Sequence, residues 1–280
     1  MNMKPNMKKT TVILLLAAFA AAVAPVTLSA GKPKGKAVSV VAHRGFWNCE
    51  ESGYAKNSIA SLTQAQKNGF WGSEFDVNMT LDEELLVFHD SSIDGKRIEQ
   101  NPASAFDYYR LKNGEKIPTL DEYLTQGEKS KNTMLVLELK KHSSKEIEDR
   151  AVQLVIEKLR AHKLFKKNRV MFISFSMNIC KEFARLAPGF TVQYLDTDYT
   201  ADQVFAEGVN GIDTEYKKLL ADRQRFDQAR ANSMSVNVWT VNKKEAMEQL
   251  VDLGVDQITT DHPLDLRAVL NEKEVKENLK

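Results

Sequence analysis

Between residues 37 and 261 short β-branched runs alternate with amphipathic stretches, and no other feature limits the possible folds so strongly. The runs cover 37–42, a strand around Glu74 and Asp76, then 134–140, 169–175, 191–195, 211–214, 235–241 and 257–261. Helical spacing fills the intervals: Ser58 is an N-cap for Ile59, Leu62, Ala65 and Gln66, and further helices are expected over 121–128, 145–162, 178–186, 201–207, 217–229 and 243–252. Runs such as 37–42 lack polar alternation, which suits strands covered on both faces in a parallel sheet. Eight strands separated by helices are expected to close into a (β/α)8 TIM barrel, α/β in class, as a single domain. The second reading is an open doubly wound sheet. Such a sheet would carry a glycine-rich phosphate loop after its first strand, where this chain has His43, Arg44 and Gly45 instead.

The first thirty residues differ from the rest. Lys4, Lys8 and Lys9 precede an apolar run over 11–24, and Leu28, Ser29 and Ala30 form a small-residue cleavage site. Residues 1–30 are therefore expected to be a signal peptide, 31–280 the barrel, and the mature protein exported to the periplasm or secreted. The alternative, an N-terminal anchor, needs roughly 17–25 apolar residues, more than this run supplies. An exported chain could pair Cys49 with Cys180, its only two cysteines, and the sequence leaves that open. A second irregularity is the polar, turn-rich stretch at about 91–116. It is too long for a plain connection and is expected to be a functional insertion over the site.

With 39 basic and 38 acidic residues the formal charge is +1, so no global field recommends nucleic acid or an anionic membrane as a partner. Recognition has to be local. In a barrel, chemistry gathers at the C-terminal ends of different strands. His43 and Arg44 end the first strand here, Glu74 and Asp76 the second, Glu138 and Lys140 the third, and Trp239 the seventh, with His89 close behind the second. Residues two apart in a strand share a face, about 7 Å apart along it.

Three carboxylates without a ligand-spaced histidine pair suit one hard divalent cation, Mg²⁺ or Ca²⁺, and disfavour zinc. With Arg44 and Lys140 beside it, such a cation would neutralise a phosphate, and His43 and His89 could serve as general base and acid. The pattern reads as phosphodiester cleavage. Each residue alone also has a structural reading: a solvated Glu-x-Asp pair, histidines bonded to local backbone, Trp239 in the core, and Lys140 with Lys141 in a solvated turn. Their joint placement at strand ends favours the site. His142, His162 and His262 are left outside it, His162 as the cation closing a helix and His262 as the cap of a turn.

These residues resemble the glycerophosphodiester phosphodiesterase family, from about Val40 to Pro263. The resemblance is carried by His43-Arg44-Gly45, Asn57-Ser58, Glu74-x-Asp76, His89-Asp90, Ile117 to Leu120, Glu138-x-Lys140, Ser174-Phe175, Val238 to Val241 and Thr259 to Pro263. It implies a TIM-barrel phosphodiesterase that hydrolyses a small-molecule glycerophosphodiester to an alcohol and glycerol 3-phosphate. It further implies a divalent metal on Glu74, Asp76 and Glu138, acid/base work by His43 and His89, and phosphate contacts from Arg44 and Lys140; Trp239, ending a strand at the same mouth, is expected to bind substrate with them. Lys56 departs from the family pattern, which usually has Glu there, and bears on head-group preference. Two rivals stand beside this reading: a phospholipid-cleaving barrel that stops at a cyclic phosphate, and a barrel that binds phosphodiesters without turnover.

Overall fold

A computed structural model of the chain describes Met1 and residues 36–279, so apart from Met1 the expected signal peptide lies outside the described residues. The chain divides into two units, Met1–Pro33 and Lys34–Lys280, and the second carries everything that follows. Its first half runs β1 (Ser39–Ala42), α1 (Ile59–Lys67), β2 (Gly72–Met79), β3 (Leu85–Val87), β4 (Ser92–Ile93), β5 (Lys96–Arg97), α2 (Leu120–Gly127), β6 (Met134–Leu139) and α3 (Lys145–Ala161). The second half runs β7 (Val170–Ser174), α4 (Met177–Leu186), β8 (Val192–Tyr194), α5 (Ala201–Ala206), β9 (Gly211–Glu215), α6 (Tyr216–Ala221), α7 (Gln224–Ala231), β10 (Ser235–Trp239), α8 (Lys244–Leu253), β11 (Gln257–Thr260) and α9 (Pro263–Glu272).

Parallel pairing runs β1-β11-β10-β9-β8-β7-β6-β2, and β1 pairs again with β2 through Val41↔Gly72 and Ala42↔Ser73. That last pairing closes the barrel. Along each strand the period of two sorts side chains between two environments. Phe75 and Val77 of β2, Leu135 and Leu137 of β6, and Val236 and Val238 of β10 face the helices in the main core. A smaller apolar layer fills the barrel interior, with Val41, Met134, Val136, Met171, Ile173 and Leu195. The interior is also polar: Gln193 Nε2 donates to Ser235 Oγ and Gln257 Oε1, and Asn237 Nδ2 donates to Asp213 Oδ2 and Thr259 Oγ1. Buried amides of this kind are tolerated because each finds a partner across the barrel.

The structure departs from the sequence expectation at three places, the first being α9, a helix after the last strand where none was expected. Residues 217–229 form two helices rather than one, because Asp222 turns extended and its Oδ1 accepts from the Gln224 backbone N–H at 2.9 Å, a local bond that competes with helix continuation. Residues 85–87, outside the eight expected strands, form β3, antiparallel to the outer end of β2. The insertion has structure of its own. Its β4–β5 hairpin and two short 3₁₀ turns enclose an apolar cluster of Leu86, Ile93, Ile98, Phe106 and Ile117. Both cysteines are free, Cys180 buried and Cys49 partly so. No helix of the described residues is long and apolar enough to cross a membrane.

Candidate active site

All eight side chains singled out in the sequence come to one end of the barrel. His43, Arg44, Glu74, Asp76, His89, Glu138 and Trp239 line a cavity of about 260 Å³, and Lys140 lies against its acidic wall. β2 and β6 run in register with Asp76 opposite Glu138, so the inward face of two neighbouring strands carries Glu74, Asp76 and Glu138 together. All three are buried, and one oxygen from each lies within 4.8 Å of the others.

Bringing three carboxylates together in a buried pocket is costly unless positive charge compensates. Two cations do so in part. Lys140 Nζ lies 2.6 Å from Glu138 Oε1 and 3.2 Å from Asp76 Oδ1, and Arg44 Nε lies 3.6 Å from Asp76 Oδ2. Burial alone would raise the Asp76 carboxyl, but Lys140, His89 and Arg44 outweigh it and bring the pKa to about 2. Glu138 is left at about 7, raised by burial and only partly offset by Lys140. Glu74 is pushed well up by burial, then by Asp76 and Glu138, and its Oε1 has no hydrogen-bond partner among the described residues. For Lys140, burial works against the ammonium form, yet Glu138 and Asp76 hold its pKa above that of an ordinary lysine. The residues present therefore fit a divalent cation: three converging oxygen donors of hard character, one of them with an unpartnered buried oxygen.

The histidines stand on either side. His43 follows β1, and its Nδ1 lies 2.8 Å from Asp261 Oδ1. Trp47 Nε1 and Asn242 Nδ2 also donate to that carboxylate, at 2.9 and 2.7 Å. Although burial opposes it, His43, Asn242 and Trp47 hold the Asp261 carboxyl well below the usual carboxylate range. An ionised Asp261 offers only acceptors, which assigns the proton to Nδ1 and leaves Nε2 facing Glu74 Oε2 at 4.0 Å. His89 is half-buried with Nδ1 2.7 Å from Asp90 Oδ1; burial lowers its pKa, against the opposing pull of Asp76.

The turn after β1 is held in an unusual backbone. Arg44 has φ +56°, its N–H donates to Glu74 Oε2 at 2.8 Å, and its carbonyl accepts from the Asn57 N–H at 3.0 Å. Gly45 follows at φ +77°, where an added Cβ would lie 2.3 Å from Ser61 Oγ, so only glycine lets the turn press against α1. Left-handed residues gathered this closely are typical of sites where the surroundings fix the backbone.

Three contributors escaped the sequence reading as site residues. Asn57 bonds Asp76, and Asp261 orients His43; both lie in loops without periodicity, although both stand in motifs quoted above. Asp213, on the inner face of β9, lines the same cavity with Oδ1 unpartnered among the described residues; burial and then Glu138 raise its pKa. An acid in the middle of an otherwise buried strand was the available signal. The apolar side of the cavity is Ile173, Phe175, Leu195 and Trp239, the last donating from Nε1 to the Asp213 carbonyl at 3.1 Å. The histidines left outside the site are outside it: His142 Nε2 accepts from the Met79 N–H, His162 caps the end of α3 between Asp121 and Glu128, and His262 stands at the N-cap of α9.

Known proteins share this fold. A crystal structure of a glycerophosphodiester phosphodiesterase from Parabacteroides distasonis superposes with a TM-score of 0.82 at 39% identity, covering 86% of this chain and 99% of that one. The glycerophosphodiester phosphodiesterase of Bacillus subtilis is 28% identical, over 93% of this chain and 97% of its own length. An Oleispira antarctica phosphodiesterase, solved with its product sn-glycerol-3-phosphate, shares the fold at 23% identity and a TM-score of 0.71, over 83% of this chain and 96% of its own. Residues 43–265 match the Glycerophosphoryl diester phosphodiesterase family, and the chain belongs to that family.

Proposed function

We propose that this chain hydrolyses glycerophosphodiesters to an alcohol and glycerol 3-phosphate, with a divalent cation, Mg²⁺ or Ca²⁺, on Glu74, Asp76 and Glu138. The observation that carries this is the convergence of the three carboxylates within 4.8 Å, flanked by two histidines and two cations. When bound, the cation supplies Lewis-acid neutralisation of phosphoryl charge. Arg44 and Lys140 face the same phosphate oxygens and stabilise the charge that grows on them in the transition state.

His43 is the better placed base, because Asp261 holds Nδ1–H and leaves Nε2 to accept a proton. It takes the proton of the glycerol hydroxyl beside the ester, that oxygen bonds to phosphorus, and the phosphorus–oxygen bond to the head group breaks. His89 gives its proton to the departing alcohol oxygen. Water then adds to the cyclic phosphate with the two histidines in exchanged roles, glycerol 3-phosphate leaves, and both return to their starting states. Trp239 packs against the glycerol carbons in the smaller cavity.

A release assay with glycerophosphocholine, -ethanolamine, -inositol and -glycerol tests this, run with Mg²⁺, with Ca²⁺ and with chelator. Alcohol and glycerol 3-phosphate should form with cation and not with chelator. Accumulation of a cyclic phosphate in the ³¹P spectrum would instead support the lipase-like rival, and absence of turnover the binding barrel. Lys4, Lys8, Lys9 and the apolar run behind them support export as part of the same reading. The protein recovered outside the cytoplasm should begin at Gly31.

A further inference from the structure

A phosphodiester has two substituents, and the site opens into two cavities. Arg44 and His89 line both, so on the phosphodiesterase reading the phosphate would stand at their junction. The smaller cavity, about 260 Å³, is closed off by the apolar wall and Asp213 and suits the invariant glycerol. The larger, about 430 Å³, lies between the loop after β1 and the insertion, with His89 in its wall, and on the same reading would take the variable alcohol.

The aromatic walls of the larger cavity would ordinarily recommend a quaternary ammonium, which binds over ring faces. Here those faces are taken. Lys56 Nζ sits 4.4 Å from the Trp47 ring centroid, and Lys112 Nζ sits 5.0 Å from that of Tyr54. Phe88 and Tyr109 pack edge to face against each other at 5.5 Å and belong partly to the insertion's own apolar cluster. The cavity's charges are Arg44, Lys56 and Lys112 against one carboxylate, Asp90, which is engaged by His89. A trimethylammonium entering here would meet two ammonium groups already seated on the rings it needs. A negatively charged group would meet the Lys56 and Lys112 ammonium groups with hydrogen-bond donors to spare.

We propose that Lys56 and Lys112 select a head group carrying its own negative charge, such as a second phosphate, over a quaternary ammonium. This rests on the phosphodiesterase reading above.

The test compares kcat/KM of the metal-loaded mature protein for glycerophosphoinositol 4-phosphate, glycerophosphoinositol and glycerophosphocholine. The first two share a polyol and differ in charge. The expected order is the phosphorylated ester first and choline last, with at least tenfold between them. In Lys56→Glu/Lys112→Glu the ratio of the phosphorylated ester to the choline ester should fall at least tenfold, mainly through KM. Lys56→Gln and Lys112→Gln should each move it the same way by less. Both lysines are exposed, so the variants retain the fold, which circular dichroism verifies. Turnover of all three esters with choline preferred, or a ratio unmoved in the double variant, would overturn the proposal and leave the hydrolase standing. No turnover of any ester would remove the hydrolase reading and this subsite with it.

Discussion

Asn57 grips Asp76 at two points: its Nδ2 donates to Asp76 Oδ2 at 2.8 Å, and its Oδ1 accepts from the Asp76 backbone N–H at 3.2 Å. Asn57 is itself left-handed, φ +55°, a conformation asparagine adopts more readily than most residues. Asp76 is thereby aimed before any cation arrives. Asn57→Ala should cost about 1.5–3 kcal/mol of stability, the range for losing a buried bond to a charged group, and weaken cation binding as well. Chemical denaturation and a cation titration monitored by unfolding midpoint check both parts, and a variant with wild-type midpoints would show that the grip is incidental.

The two histidines should separate by leaving group. His89→Ala is expected to lose roughly 10²–10⁴-fold in kcat on alkyl head groups, the span of general acid–base effects. It should lose much less on a nitrophenyl ester, whose leaving group needs no proton. His43→Ala should lose a similar factor on both. Equal losses for the two variants on both esters would mean the roles are wrongly divided.

Without cation, stability should fall as pH rises from about 4.5 to about 7, because Glu138 binds its proton more tightly folded than unfolded. The sign follows from the raised value: the folded state holds a proton that the unfolded state has released, and the advantage is gone once pH passes the folded value. Glu74 works in the same direction. A cation needs the carboxylates ionised, so the midpoint gain on adding Mg²⁺ or Ca²⁺ should grow across the same window. Thermal unfolding at pH 5.5, 7 and 8.5, with cation and with chelator, measures it; a gain independent of pH would remove Glu138 from the ligand set.

Glu74→Gln and Asp76→Asn should both lower turnover by roughly 10²–10³-fold or more, as expected for losing electrostatic stabilisation at the reacting centre. Their effects on the fold should be opposite. Glu74 has an unpartnered oxygen and two acidic neighbours, so neutralising it relieves the metal-free protein and raises its midpoint. Asp76 is the charge on which Lys140, Arg44 and Asn57 close, so Asp76→Asn should destabilise by about 1.5–3 kcal/mol. Paired melting curves with chelator present decide it.

Much of this site could be read from the chain because strands buried on both faces are almost wholly apolar. Against such runs Glu74, Asp76 and Glu138 stand out, and the period of two says they share a face. Asp213 carries the same signal on β9, but with no motif around it the residue passed as an ordinary strand position. Asn57 and Asp261 sit where the backbone has no period, so only their motifs marked them. The larger cavity was legible only in outline: the insertion was expected over the site and Lys56 stood out against the family pattern, but neither alternation nor spacing relates Lys56 to Lys112, and they meet only through the fold. The break at Asp222 was hidden for a related reason, since one side-chain bond overrode a helical pattern.

Glu115, near the end of the insertion, accepts from the Ile59 and Ala60 N–H groups at 2.8 and 3.2 Å and so supplies the negative charge that α1 lacks in its own first turn. Asn113 beside it reaches back to the Ser52 carbonyl and to Glu115 itself. The two segments that wall the larger cavity are therefore latched to each other and to a helix end, but only the loop after β1 is also tied to the metal-facing carboxylates, through Arg44 and Asn57. A lineage could exchange the insertion with its Glu115 latch and change which alcohol is released, whereas the loop after β1 carries Asn57 and Trp47 and must be kept for the machinery that breaks the bond.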